Sequence, residues 1–341
     1  MRWLFFLRTI PLIIAFLIFV GCSDNFATIS ANFSSVKEEL RESEPIGKGH
    51  VNNEKMRPKG SSAASIDFDG QIAMRHIETQ TSFGPRSPES PTAKLQTLSY
   101  IRSQIPSSME IQLHKFKANG FNGTNLWVSS RAAKKKSTTL IMLGTHWDTR
   151  SQADRDTDIT KRNMSVLGAN DGASGVAVLI EIAKHLHKRP PKINVDLIFF
   201  DLEDIGNIGK NAYAMGSRKF VEEHPKYRPT AGIIIDMVCD KNLRIPREHY
   251  SSVSAPEVLS GVWASADRQE ADAFKDIIGG AIIDDHIPFL EVGIPVVNLI
   301  HFPFPKSWHT TDDTIKFCSA TSLDQVGRVV LDFIYQYSFN Y

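Results

Sequence analysis

The chain has 341 residues, 42% of them hydrophobic and 23% charged, with 39 Lys and Arg against 38 Asp and Glu for a formal net charge of +1. That length can bury one large core, a domain of about 250–300 residues, with appendages. The balanced charge excludes the basic excess on which a nucleic-acid partner would depend, so none is expected.

Arg2 and Arg8 flank the start of an apolar run from Ile10 to Val20 that closes on Gly21-Cys22-Ser23. A charged start and an apolar stretch too short to count as a membrane span read as an export signal over residues 1–22. The small residue before Cys22 resembles a bacterial lipoprotein cleavage box, which would leave Cys22 lipidated. Phe19 departs from that pattern, where Leu is usual. An uncleaved signal anchor and ordinary secretion are the alternatives. All three place the globule outside the cytoplasm, and the expectation is a lipid-anchored protein on a bacterial membrane, facing the periplasm. Residues 23–65 are rich in Ser, Asn, Glu and Lys without a sustained apolar period, so they read as a linker or tether.

Residues 66–341 form the expected single domain. A helix is predicted through Ile72 to Ile77, broken by the Gly and Pro of Ser82 to Pro88, and a second from Leu95 to Ile105. Edge-like strands follow around Glu110 to Phe116 and Thr124 to Val128. Lys134-Lys135-Lys136 reads as a solvated hairpin. The apolar strand Thr139 to Thr145 ends at His146-Trp147-Asp148, and the charged loop Arg150 to Val166 has a length that is often functional. Gly168 to Gly175 opens a helix in which Val176, Leu179, Ile180, Ala183 and Leu186 recur at helical spacing. His185 and His187, near its C-terminus where a cation is favoured, are assigned to the surface. Val195 to Phe200 reads as a buried strand running into Asp201, Glu203 and Asp204. A strand from Ala231 to Ile235 ends at Asp236, and a helix covers Ala255 to Ala266. Asp284 to Leu290 starts another helix, stopped by Gly293. The strand Pro295 to Ile300 leads into a Pro-rich loop ending in Trp308-His309-Thr310, and an amphipathic helix from Ser322 to Tyr337 closes the chain. This alternation predicts a three-layer α/β fold, with a central mixed, mostly parallel sheet and helices on both faces.

His146, Asp204 and Asp236 end three of the predicted strands, Asp171 stands at a helix start, and His309 follows a fourth strand. Each has an ordinary explanation alone: a helix N-cap for Asp171, a turn for Asp236, a hydrogen-bonded loop residue for His309, acids drawn to a helix dipole for Glu203 and Asp204. Five such residues at one sheet edge are another matter. That edge is where α/β sheets bind ligands, and imidazole with carboxylate is what zinc takes at catalytic sites with an open position.

Thr145-His146-Trp147-Asp148, Gly168-Ala169-Asn170-Asp171-Gly172-Ala173-Ser174-Gly175, Phe200-Asp201-Leu202-Glu203-Asp204 and Trp308-His309-Thr310-Thr311-Asp312 follow one another in a familiar order. From about Ile66 onward the chain resembles the zinc aminopeptidase superfamily that includes the animal-type glutaminyl cyclases. Asp284 to Phe289 and Phe302 to His309 are most similar to the cyclases, and the form of the first three motifs is similar to bacterial members of that branch. The resemblance implies a zinc aminopeptidase-like fold and one zinc held by Asp171, Asp204 and His309, with Glu203 as general acid/base. His146 and Asp236 correspond to ligands of a second zinc in two-metal aminopeptidases, bridged by Asp171. In the cyclases the equivalent residues form a hydrogen-bond network instead. Asp284 and Trp308 correspond to the catalytic-site acid and indole that hold the substrate's N-terminal residue. Asp201 falls in neither role and is assigned to the turn.

There are departures. Asn298 stands where animal cyclases have His, the loop from Ile205 to Gly209 has no Trp, and Asp204 stands where the animal enzymes have Glu. The implied activity is conversion of the N-terminal Gln of peptides or proteins to pyroglutamate with release of ammonia, by a monomer carrying one zinc. The alternatives are a co-catalytic dizinc aminopeptidase and an inactive binding protein on the same scaffold. A complete set of costly buried carboxylates counts against the inactive form. With Cys22 lipidated, Cys239 and Cys318 remain; pairing and two free thiols are both open.

Overall fold

The computed structural model describes residues 67–131 and 137–339. The expected export segment, the tether and Lys134-Lys135-Lys136 lie outside the described residues. Helix α1 (Gly70–Ser82) starts at Asp69, whose carboxylate accepts the Gln71 and Ile72 amides at 2.8 and 3.1 Å, as a capping side chain does. Helix α2 (Pro91–Gln104) begins on a proline, which loses nothing there because the first helical amide has no partner in the helix. Strands β1 (Glu110–Ala118) and β2 (Phe121–Ser130) form an antiparallel hairpin. Its two-residue turn, Asn119 and Gly120, has φ of 50° and 87°, the left-handed pair that suits the twist of a tight hairpin.

The chain then alternates: β3 (Leu140–His146), α3 (Ala173–Lys188), β4 (Asn194–Phe200), α4 (Met215–Glu223), β5 (Ala231–Asp236), β6 (Ile245–Arg247), α5 (His249–Ser254), α6 (Pro256–Arg268), β7 (Phe274–Ile278), α7 (Ile287–Glu291), β8 (Val296–Ile300) and α8 (Ala320–Phe339). The main sheet has the order β1-β2-β4-β3-β5-β8, and β6 pairs with β7 separately. Pairing is antiparallel from β1 through β2 to β4 and parallel among β4, β3, β5 and β8. The sheet is therefore mixed and parallel over its functional half, as expected. Strand β2 is interior, however, so only β1 of the hairpin is an edge.

Alternate residues of β4 serve the two faces, as the strand period of two requires. Val195, Leu197 and Phe199 join the larger core with Val176, Ile180 and Val326 of α3 and α8. Ile198 and Phe200 join Phe220 of α4 and Phe289 of α7. Full burial of each such side chain contributes about 1.5–3 kcal/mol, so both layers are strongly held. His185 is half-buried with its ring 5.8 Å from Tyr335, and burial, aided by Arg189, lowers its pKa. It is therefore not the surface cation expected at this helix end. His187 is exposed and bonds Ser108.

Cys239 and Cys318 are joined in a disulfide, with Cα atoms 4.6 Å apart and 79 positions between them in sequence. It ties the segment after β5 to the segment before α8. A disulfide typically stabilises a fold by about 2–4 kcal/mol, chiefly by restricting the unfolded chain. Cys318→Ser is expected to lower unfolding stability by that amount in a denaturant titration, and an unchanged midpoint would show the crosslink to be idle.

Candidate active site

Parallel pairing brings the C-terminal ends of β3, β4, β5 and β8 to one edge, with His146 level with Phe200 and Asp236 level with Ile300. His146 and Asp236 are the last residues of their strands, and His146 Nε2 lies 2.9 Å from Asp236 Oδ1 and 3.1 Å from Asp171 Oδ1. Strand β4 ends at Phe200, so Asp204 stands in the loop beyond it and not at the strand end. That loop is pinned by Asp148, whose two carboxylate oxygens accept the amides of Glu203 and Asp204 at 3.1 Å each. Asp201 turns away from the site, accepting Lys94 Nζ at 2.6 Å and the Thr124 amide at 2.8 Å.

Asp171 is not a helix cap; Gly172 occupies that position of α3 at φ 99°, and a Cβ there would come within 2.5 Å of the Asp148 carbonyl oxygen. Only glycine fits that close approach. Asp313 accepts the Asn170 and Asp171 amides at 2.8 and 3.0 Å, and the fully buried Arg86 donates to the carbonyls of Leu167 and Gly168. His309, at φ 55°, presents Nε2 at 3.3 Å from Asp204 Oδ1 and 3.7 Å from Asp171 Oδ2, with Nδ1 3.6 Å from Asp154 Oδ1. Arg150 joins Asp204 at 3.1 Å to Asp154 at 2.6 Å.

The result is two buried triads that share one carboxylate, His146-Asp171-Asp236 and Asp171-Asp204-His309, each with ligand atoms within 4.8 Å of one another. Asp204 Oδ2 is buried without a hydrogen-bond partner. Such a concentration of buried acid is unfavourable unless a cation or protons neutralise it. Burial pushes the Asp236 carboxyl up to about 8 against the pull of His146, and pushes Asp313 up to about 7 with Asp171 adding to the effect. Burial also raises Glu203 well above the usual carboxyl range; His146 opposes this, while Asp284, Asp204 and Asp285 reinforce it. Burial disfavours a charged His146, but Asp236, Asp148 and Asp171 outweigh it and raise its pKa. The donor set, all imidazole and carboxylate, fits zinc.

Asp236 and Asp313 have an ordinary value of 3.8 and titrate near 8 and 7 in the folded protein without metal. Between those limits the fold binds more protons than the unfolded chain, so stability of the metal-free protein falls as pH rises through the window. A divalent cation at the neighbouring Asp171-Asp204-His309 triad would favour the charged form of both carboxylates and lessen the loss. The gap in Tm between zinc-loaded and chelated protein is expected to widen between pH 5 and pH 8 by about 5 °C or more; a gap independent of pH would contradict the placement of these acids.

A cavity of about 700 Å³ opens onto the triads and is lined in part by Asp171, Glu203, Asp236, Asp284, Trp308 and His309. Asp284 Oδ2 accepts Asn298 Nδ2 at 2.7 Å. Trp308 stacks on His309 at 3.8 Å and on Phe304 at 4.3 Å between ring centroids. Every site residue expected from the sequence thus lies in the triads or on this wall. The supporting Arg86, Asp148, Arg150, Asp154 and Asp313 were not foreseen. Asp148 stood in the quoted His146 motif, whereas Arg86 was hidden in a segment that reads only as a helix breaker.

Residues 126–334 match the model of Peptidase family M28. The glutaminyl-peptide cyclotransferase of Bos taurus is 26% identical over 206 residues, covering 50% of this chain and 56% of that protein. The chain thus spans about half the length of that curated relative. The Bacteroides thetaiotaomicron glutaminyl cyclase bound to N-acetylhistamine superposes with a TM-score of 0.72 at 31% identity, covering 80% of this chain and 99% of the other. A Zn-dependent exopeptidase from Parabacteroides distasonis superposes with a TM-score of 0.73 at 29% identity, covering 80% and 99%. The family match takes in the whole metal-ligand set and more than half of the sequence, and the chain belongs to peptidase family M28.

Proposed function

We propose that the protein is a zinc-dependent glutaminyl-peptide cyclotransferase, which converts the N-terminal Gln of a peptide or protein to pyroglutamate and releases ammonia. The observation that carries this reading is Asp284, fixed by Asn298 on the wall it shares with Glu203. Likeness to the Bacteroides cyclase over nearly all of that chain supports it.

Asp171, Asp204 and His309 would hold the zinc, which when bound polarises the γ-carbonyl of the substrate as a Lewis acid. Glu203, buried and with its proton affinity raised, takes a proton from the α-amine as the nitrogen closes on the γ-carbon. It returns that proton to the departing amide nitrogen. One C–N bond forms, one breaks, ammonia leaves and no water is consumed. Asp284 would accept a hydrogen bond from the amine, and Asn298 holds it in place to do so. Ile282, Phe302 and Phe304 line the cavity; an apolar wall folds the Gln side chain back on itself and excludes water.

His146, Asp171 and Asp236 form a second metal-sized triad, and this favours a second reading as a dizinc aminopeptidase. Glu203 would then activate water for attack on a peptide carbonyl. Ammonia release from a Gln-initiated peptide with about one zinc per chain supports the cyclase. Free Leu from a Leu-initiated peptide with two zinc ions supports the peptidase. The charged and then apolar start, Arg2 to Val20, supports export and attachment to a bacterial membrane through that segment or a lipidated Cys22. Among the described residues no helix is long and apolar enough to cross a membrane.

A further inference from the structure

The carboxylates lining the cavity, Asp171, Glu203, Asp236 and Asp284, are all buried, and Arg155 lines it with them beside His309. The loop after β3 carries three arginines in different surroundings, of which Arg162 donates to the Asp156 carbonyl at 2.9 Å. Arg150 is 1% exposed and directs its donors at Asp154, Asp204 and the Gly206 carbonyl. Arg155 is exposed, and its guanidinium makes no ion pair among the described residues. The acids on either side of it in sequence are already engaged, Asp154 by Arg150 and Asp156 by Thr311 and the Asp158 amide.

Arg155 is nonetheless held in place. Its amide donates to the His309 carbonyl at 3.1 Å, and its guanidinium carbon lies 5.4 Å from the centre of the Trp308 ring. A guanidinium over a ring leaves its N–H edge open, and that edge matches a carboxylate in two parallel hydrogen bonds. Arg155 and Trp308 line the same cavity as Glu203 and Asp284, so a peptide whose N-terminal residue fills that cavity would carry its second side chain toward this edge. Resting on the cyclase reading of the site, we infer that Arg155 gives the enzyme a preference for peptides with Asp or Glu directly after the N-terminal Gln.

The competing role for Arg155 is to pack on Trp308, which would affect every peptide alike. The test is therefore a ratio: kcat/KM by ammonia release for Gln-Glu-Ala-Ala over Gln-Gln-Ala-Ala, both amidated at the C-terminus. An exposed charge pair predicts a ratio of about two- to fivefold in the wild type, falling toward one in roughly 0.5 M salt. Arg155→Gln should bring the ratio to one, and Arg155→Lys, which keeps the charge, should retain part of it. A wild-type ratio of one, or a ratio unchanged in Arg155→Gln, overturns the inference. Preference for the free-acid dipeptide Gln-Gly over its amide, without preference for the Glu tetrapeptide, moves the contact to a C-terminal carboxylate and overturns the side-chain assignment. Cyclisation without discrimination sinks the inference alone; no cyclisation of any Gln peptide sinks the cyclase reading and the inference with it.

Discussion

Glu203→Gln lowers kcat on an N-terminal Gln peptide by about 10²–10⁴-fold, the usual worth of a positioned acid/base, while zinc content stays unchanged. The substitution keeps the size and shape of the side chain but leaves no group able to take the α-amine proton. The loop should survive it, because Asp148 holds that loop through the backbone amides of Glu203 and Asp204. Glu203 also lies in neither metal triad. Single-turnover rates together with zinc measured on the same sample separate the outcomes. A near-normal rate removes Glu203 from the mechanism, and parallel loss of zinc would make it a structural support of the site.

The second large effect is expected at the shared ligand. Asp171 belongs to both triads, so Asp171→Asn should weaken every bound zinc whether the protein holds one ion or two. Loss of an outer-shell partner typically costs 10–100-fold in metal affinity; loss of this ligand should exceed about 100-fold. His309→Ala removes a ligand from one triad alone. If two ions bind, that variant should keep one of them at His146, Asp171 and Asp236; if one binds, it should lose it. Chelator competition reads both variants without reference to activity. Undiminished affinity in Asp171→Asn would refute the shared placement.

The sequence disclosed those parts of the site that depend on short-range pattern. Strands β3 and β5 are buried on both faces, so each reads as an unbroken apolar run, and its end at His146 or Asp236 is visible as a change in residue type. Asp204 was harder to place: the apolar run visibly stops at Phe200, as β4 does, but nothing local shows that a loop carries the ligand onward from there. Helix α4 escaped because it begins beside Ala214 in a left-handed conformation, φ 60°, with no capping side chain. Strand β7 escaped because most of it is exposed, with no apolar alternation to mark it. The supporting polar groups were illegible for a different reason. Arg86 meets carbonyls 81 and 82 positions away, and Asp313 meets amides 142 and 143 positions away. Contacts of that range exist only once the sheet has brought the loops to one edge.

Cyclisation and hydrolysis leave different masses from one substrate, so intact-mass spectrometry of a Gln-initiated peptide after incubation with zinc-loaded protein decides between them. Cyclase activity predicts a product lighter by one ammonia with every residue retained, and no product when chelator is present. A peptide shortened by its first residue, or one left unchanged by fully loaded protein, would contradict it.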